Sequence, residues 1–337
     1  MKIAVVGLGA VGGLMAVRLA RAGFEVSALA RGATLAAVRE HGLRLVLDDR
    51  EVTARVQAAD NPAALGRQDL VVIALKGPAL IEAARTLGPM LDARTLVLPA
   101  MNGVPWWFLQ KEAGVPADAA LTAPLHSVDP RGDIARALPL GQVLGCVVHL
   151  TCSSPAPGLI RHGFGNRLIV GEPGGGDSAR TAAVCDALAR AGFTAEPSAD
   201  IRRDIWYKLW GNMTTNPISA LTGATTDHIL DDPLVQAFML RAMAEAAEIG
   251  ARIGCPISQT GEERVVVTRQ LGGFKTSMLQ DAIAGRALEI DAIVSAVHEI
   301  GGRLGLDMPN IGALLGLTRL MARERGLYPL AGAATPA

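Results

Sequence analysis

Paired cysteines are missing from this sequence. The chain has four, Cys146, Cys152, Cys185 and Cys255, none of them in a CxxC arrangement, and its six histidines show no HxxxH or other metal-ligand spacing. Neither a disulfide framework nor a structural zinc is expected, no metal is assigned, and a reduced compartment, the cytoplasm, is the simpler setting. Charge of one sign is missing too. Lys plus Arg number 32 and Asp plus Glu 32, so no overall field draws the protein to nucleic acid or an anionic bilayer, and any basic site must be local. Long apolar runs are also wanting. Lys2 and the uncharged run from Ile3 to Val17 resemble a secretory signal at first sight, but glycines interrupt the run and Arg18 and Arg21 follow it. No other stretch reaches the roughly 18 apolar residues of a membrane span. There is no repeat at solenoid periods. The only low-complexity pieces are Gly174 to Gly176, expected as a loop, and Ala331 to Ala337, expected as a frayed tail.

What is present is a chain of 337 residues, 50% hydrophobic and with 38 glycines. That length suits two domains, each able to bury a core. Ile3 to Val6 is a short β-branched run ending in glycine, and Val11 to Ala22 has helical apolar spacing that stops at Gly23, giving strand, turn and helix. Glu25 to Ala30 reads as a second strand. Leu43 to Leu47 and Val52 to Val56 read as a hairpin around Asp48, Asp49 and Arg50. Leu70 to Leu75 and Thr95 to Leu98 are continuous apolar runs, as in parallel strands covered on both faces, with a helical segment from Ala79 to Leu87 between them. From Val143 to Val170 the pattern shifts to short strands, expected as antiparallel additions to that sheet, followed by a helix at Ser178 to Ala191 and a last strand near Phe193. After Ser198 strands nearly vanish. Ile201 to Thr215, Pro233 to Ile253, Glu262 to Gln270, Met278 to Ala284, Glu289 to Leu304 and Ile311 to Arg325 all favour helix. The fold class is therefore α/β: a Rossmann-type doubly wound sheet over residues 1–198, then an all-α domain over 199–330.

Gly7, Gly9 and Gly12 form GxGxxG, with Leu8, Ala10 and Val11 between them, at the junction of the first strand and helix. In that context Gly7 permits a tight turn, Gly9 lets backbone approach a pyrophosphate, and Gly12 lets the helix pack on the strand with its N-terminus toward the phosphates. The plain alternative is a glycine-rich turn. The second strand ends Ala28-Leu29-Ala30-Arg31 rather than in the acid that bonds an NAD ribose. A permanently charged, planar guanidinium suits a 2′-phosphate, so NADPH is expected over NADH, the alternative being a solvated loop arginine. Lys76, after the third apolar run, and Asn102, in Met101-Asn102-Gly103, fall at carboxyl ends of strands, where open α/β sheets bind ligands. An exposed lysine and an Asn-Gly turn would serve structure equally well.

In the helical half, Asp204-Ile205-Trp206-Tyr207-Lys208-Leu209-Trp210-Gly211-Asn212-Met213-Thr214-Thr215-Asn216-Pro217 sets Lys208, Asn212 and Asn216 on one helical face. A lysine beside two amides among aromatics suits a partly desolvated wall, where burial makes it a usable proton donor near neutrality. A snorkelling surface lysine is the alternative. Pro217 predicts a bend at Asn216. Lys275-Thr276-Ser277-Met278-Leu279-Gln280-Asp281 starts one helix, with Ser277 and Gln280 as a capping box, and Gly285-Arg286-Ala287-Leu288-Glu289-Ile290-Asp291 starts another, with Glu289 complementing the dipole.

Together these residues resemble the ketopantoate reductase (2-dehydropantoate 2-reductase) family over nearly the whole chain. The order of opening glycines, lysine, Asn-Gly, K-x3-N-x3-N, T-S-M-x-Q-D and G-R-x-x-E-I-D carries the likeness. The resemblance implies a helical second domain like that of 6-phosphogluconate dehydrogenases, an interdomain cleft, and NADPH-dependent reduction of ketopantoate to pantoate for pantothenate and coenzyme A synthesis. It makes Lys208 the proton donor, sets Glu289 beside that lysine and the cofactor, and assigns Asn212, Asn216 and Ser277 to substrate. Gly7, Leu8, Gly9, Ala10, Val11, Gly12, Arg31, Lys76, Asn102 and Val128 would hold NADPH, the last in Leu125-His126-Ser127-Val128, likened to a strand end at the nicotinamide side. The chain departs from the common G-R-P-T-E-I-D at Leu288, has Thr226 where some members place a substrate-contacting asparagine, has Met101 for a frequent glutamine, and adds Trp106 and Trp107, expected on the cleft side. These differences keep open a reductase of a more apolar 2-oxo acid, and fold alone keeps open a non-catalytic NADPH sensor. The expected partner is a small 2-oxo acid, with no nucleic acid or membrane and with a homodimer left open.

Overall fold

Ile3, Val5 and Val6 are fully buried, and a strand with both faces covered sits inside a sheet. β1 (Lys2–Val6) is accordingly the centre of a five-stranded sheet. The structure, a computed structural model, describes residues 1–116, 119–270 and 272–330; the expected tail at 331–337 lies outside them. Contacts divide the chain into a first unit of Met1–Gly114 with Asp129–Asp204, and a second of Val115–Val128 with the chain from Ile205 onward.

In the first unit β1 leads through α1 (Ala10–Arg21) to β2 (Glu25–Leu29), α2 (Gly32–His41) and the hairpin of β3 (Leu43–Leu47) and β4 (Arg50–Ala54). Asp48 and Asp49 have φ of 47° and 59°, the pair of left-handed residues that a two-residue hairpin turn needs to match strand twist. β5 (Gln57–Ala59), β6 (Leu70–Ile73), α3 (Gly77–Ala84) and β7 (Leu96–Pro99) follow. The main sheet runs β5-β2-β1-β6-β7, every neighbouring pair parallel, so all five carboxyl ends share one edge. That is the doubly wound Rossmann arrangement.

The later strands are not added to this sheet as expected. After α4 (Ala119–Thr122) in the second unit and α5 (Asp133–Ala137), the chain forms β8 (Gly145–His149), β9 (Cys152–Ala156), β10 (Leu159–His162), β11 (Arg167–Gly171), α6 (Ala179–Arg190) and β12 (Thr194–Ser198). β10 and β9 extend the hairpin into a four-stranded sheet, with β10 parallel to β3, while β12, β11 and β8 make a three-stranded one. A single parallel bridge, Val97 to Val143, links the last group to β7. Packing explains the difference: the buried Ile160 of β10 seats against Gly13 of α1, where an added Cβ would lie 2.5 Å from its Cδ1, so β10 covers that helix. Trp106 and Trp107 are buried too, and the Trp107 ring stands over Gly145 in this unit's interior. Neither ring is exposed, and Trp107 fills the space that the missing side chain of Gly145 leaves.

The helical unit comprises α7 (Ile201–Thr222, which begins four residues before the contact boundary), α8 (Thr226–Asp231), α9 (Pro233–Arg252), α10 (Gly261–Gln270), α11 (Ser277–Ile283), α12 (Ala296–Arg303) and α13 (Pro309–Glu324). A one-turn π-helical segment at Asp291–Ser295 leads into α12. α7 does not end near Thr215 but continues through Pro217. Ile218 and Ala220 beyond the proline are buried, and this packing outweighs the backbone bond that proline removes. Among the described residues no helix is long and apolar enough to cross a membrane.

Candidate active site

At the carboxyl edge of the first sheet, Val6 pairs with Leu29 and Ile73, and Ile73 with Pro99. The next residues of the central strands, Gly7, Ala30, Ala74 and Ala100, therefore stand in one row. Gly7 has φ +93°, and a Cβ there would lie 2.5 Å from Leu75 Cδ2 and 2.8 Å from the Ala74 oxygen. A Cβ on Gly12 would run into the Gly7 carbonyl oxygen. Gly9 differs: nothing lies within 4 Å of where its Cβ would be. Two glycines are thus required by close packing and the middle one faces open space, as a phosphate-binding turn requires. α1, α2 and α3 all begin along this edge, with Gly9, Arg31 and Lys76 at their N-caps, and among the described residues none has a side-chain cap or an acid in its first turn. Their leading N–H groups form a setting for anions. Lys76 is half-buried, as is Asn102, which precedes Gly103 at φ +83°. Arg31 donates to Glu82 Oε1 of α3 at 2.6 Å, an acid that sequence reasoning did not connect with it.

In the second unit, Trp206 and Trp210 fix the rotation of α7. Their Nε1 atoms donate to the carbonyls of Ala246 (3.3 Å) and Met243 (2.7 Å) on α9, and Trp206, Leu209, Trp210 and Met213 are buried. With that side committed, Lys208 and Asn212 are half-buried and Asn216, one further turn along, is only 4% exposed. The helix is continuous through Pro217, so the three follow one another at successive turns. Asn216 Nδ2 is buried without an acceptor among the described residues. A buried amide donor left unpaired costs about 1–3 kcal/mol, so this position is suited to an acceptor on a ligand.

The other two motifs are tied together. Arg286 Nε donates to Asp281 Oδ1 at 2.8 Å and its N–H to the Asp281 carbonyl at 2.9 Å, so the last residue of T-S-M-x-Q-D anchors the start of G-R-x-x-E-I-D. Leu288 is buried, its N–H on the Leu327 carbonyl, and Glu289 follows half-buried just before the π-helical turn. Asp291 accepts from Ser295 (3.1 Å) and from the Tyr328 hydroxyl (2.5 Å), and burial together with Asp291 pushes the Tyr328 hydroxyl far up from its ordinary value. Ser277 is not the cap of α11. Thr276 is: its buried hydroxyl accepts from Leu279 N at 3.2 Å, because the residue with extended backbone lies one position earlier, and Ser277 is exposed. Thr226 is fully buried, with its Oγ1 donating to the Gly272 carbonyl (2.9 Å) and accepting from Phe274 N (3.1 Å). It holds the turn that leads to Thr276.

Val128 clusters with the second unit, and residues 126–128 form a turn, not the expected strand end. The cause lies in α12. Glu299 accepts from His126 N and Ser127 N, both at 2.8 Å, and Val128 N turns back to the Leu125 carbonyl. With their N–H groups engaged, these residues cannot join a ladder. Arg303 bonds Glu299 Oε1 and the carbonyls of Ala123 and Pro124, each at 2.6 Å. Burial works to raise the Glu299 carboxyl, but Ser127, the His126 amide and Arg303 hold it below the usual glutamate value. In sequence this clamp is an ordinary E-x3-R helix pair, and nothing there marks its partners. Among the described residues no group of three His, Cys, Asp or Glu is placed to hold a metal.

The family described as "Ketopantoate reductase PanE/ApbA" matches residues 3–175, and "Ketopantoate reductase PanE/ApbA C terminal" matches 200–322. The chain belongs to the ketopantoate reductase family. Membership covers both units. A 2-dehydropantoate 2-reductase from Mesorhizobium japonicum is 43% identical over 97% of this chain and 100% of its own length. A solved structure of a candidate ketopantoate reductase from Ralstonia solanacearum MolK2 is 56% identical, covers 97% of this chain and 99% of that one, and superposes with a TM-score of 0.93. The fold extends further, to a D-mandelate dehydrogenase at 21% identity and a TM-score of 0.83, over 97% and 100% of the two chains.

Proposed function

We propose that this protein is a cytoplasmic NADPH-dependent reductase that converts ketopantoate to pantoate. The α7 face carries the reading: a half-buried Lys208 in line with Asn212 and with Asn216, whose Nδ2 has no acceptor. The family supplies the substrate's name. The glycine turn fits a dinucleotide, since Gly9 is open where Gly7 and Gly12 are packed; Gly7–Gly12, Arg31, Lys76 and Asn102 would hold it, with Val128 toward the nicotinamide. Bound NADPH supplies a hydride for the keto carbon.

The residues of the chain supply position and a proton. Reduction leaves negative charge on the C2 oxygen, and Lys208 Nζ donates the proton that neutralises it. Glu289 orients that ammonium. Asn212 and Asn216 offer amide donors to the substrate's polar atoms, and Ser277 a hydroxyl left available by Thr276. The test is oxidation of NADPH, followed at 340 nm, with ketopantoate and a panel of more apolar 2-oxo acids. Wild-type turnover with ketopantoate, lost in Lys208→Ala while NADPH binding persists, supports the reading. Normal turnover in that variant removes Lys208 from the chemistry, and preference for another acid removes the substrate's name.

A further inference from the structure

One cation near the Lys208 helix has no acid to answer it. Arg264, in the first turn of α10, lays its guanidinium 4.6 Å from the centre of the Tyr207 ring. Its Nη1 donates to the Tyr207 hydroxyl at 2.9 Å, which in turn donates to Gln259 Oε1 at 2.7 Å. The other side rests on Gly211, where a Cβ would lie 3.1 Å from Nη2 and 3.2 Å from Nε. Among the described residues no acidic oxygen lies within 4.0 Å of this guanidinium, although Arg180, Arg286 and Arg303 each have one. Nε is buried with no acceptor.

We propose that Arg264 is a specificity-determining residue that takes the carboxylate of the 2-oxo acid; this rests on the reductase reading above. Three physical features support it. A half-buried permanent cation without a counter-ion is costly, and an arriving anion removes that cost. The guanidinium is held by the Tyr207 ring, the Tyr207 hydroxyl and the missing side chain at Gly211, so little freedom is lost when it binds. Gly211 lies three residues from Lys208 on α7, about 4.5 Å along the axis, and the carboxylate of a 2-oxo acid is bonded directly to the keto carbon whose oxygen Lys208 protonates. A planar fork suits a carboxylate better than an ammonium does.

The experiment compares wild type, Arg264→Met and Arg264→Lys in NADPH oxidation with ketopantoate and with its uncharged methyl ester, alongside NADPH titration. Arg264→Met should raise KM for the acid on the order of 10- to 100-fold, the loss of a charge-assisted bond, with kcat little changed and with ester KM and NADPH affinity unaltered. Arg264→Lys should fall between, and it is the variant read if the methionine form does not fold. An unchanged KM for the acid, or equal losses for acid and ester, overturns the assignment while leaving the reductase reading intact. No turnover of any 2-oxo acid by wild type overturns both.

Discussion

Arg31 and Glu82 form a pair with both side chains more than half exposed, at 57% and 65%, and such pairs contribute little to stability because water and salt screen them. Their consequence lies in binding. If Arg31 takes the 2′-phosphate as proposed, that phosphate must displace the Glu82 carboxylate and is repelled by it afterwards. Arg31→Ala should weaken NADPH on the order of 10- to 100-fold and NADH hardly at all, whereas Glu82→Gln should tighten NADPH by roughly two- to five-fold. Fluorescence titration with both dinucleotides reads this directly. Equal changes for the two cofactors would remove Arg31 from the 2′ position.

At the scale of elements, the two hydroxyls at the start of α11 separate structure from binding. Thr276→Ala removes the cap and should cost about 1 kcal/mol, seen as a lower Tm. Ser277→Ala should leave Tm unchanged and raise KM for the 2-oxo acid, and a Tm loss in that variant would return the serine to a structural role. The sequence could not distinguish these neighbours, because which residue takes extended backbone is decided by the turn that Thr226 holds. Other features were legible where one element contains its own signal. The strand-to-helix turn with its packed Gly7 and Gly12, the buried parallel strands, and Lys208, Asn212 and Asn216 on one continuous helix follow from local motif and spacing, and the fold contains them. What stayed hidden depends on distant partners: β10 lying on Gly13 of α1, the path of α7 through Pro217, Glu82 against Arg31, and Arg264 in the space left by Gly211. α2 and α8 were not anticipated either: α2 buries only Leu35 and Val38, too few to mark a helical stripe, and α8 is six residues long.

Over the whole molecule, acid acts on each unit through a carboxylate that is more acidic folded than unfolded. In the first, Arg180 and Ser178 hold Glu172 below its ordinary value; in the second, burial works to raise Glu299 but Ser127, the His126 amide and Arg303 lower it. A depressed carboxylate contributes stability that is fully present above its unfolded value, about 4.3, and is lost as pH falls through its folded value. For Glu299 the loss should be local before it is global. Protonation removes the charge that faces Arg303 and weakens both bonds to the His126 and Ser127 amides, so the segment before Val128 should open first. Hydrogen exchange corrected for intrinsic rates should show these two amides protected at pH 7 and losing protection below about pH 4 while the amides of β1 stay closed. Glu299→Gln should lose much of that protection already at pH 7 and respond little to acid. Protection of His126 and Ser127 that is independent of pH in the wild type, or unchanged by the glutamine, would show that the turn is held by its own backbone and not by α12.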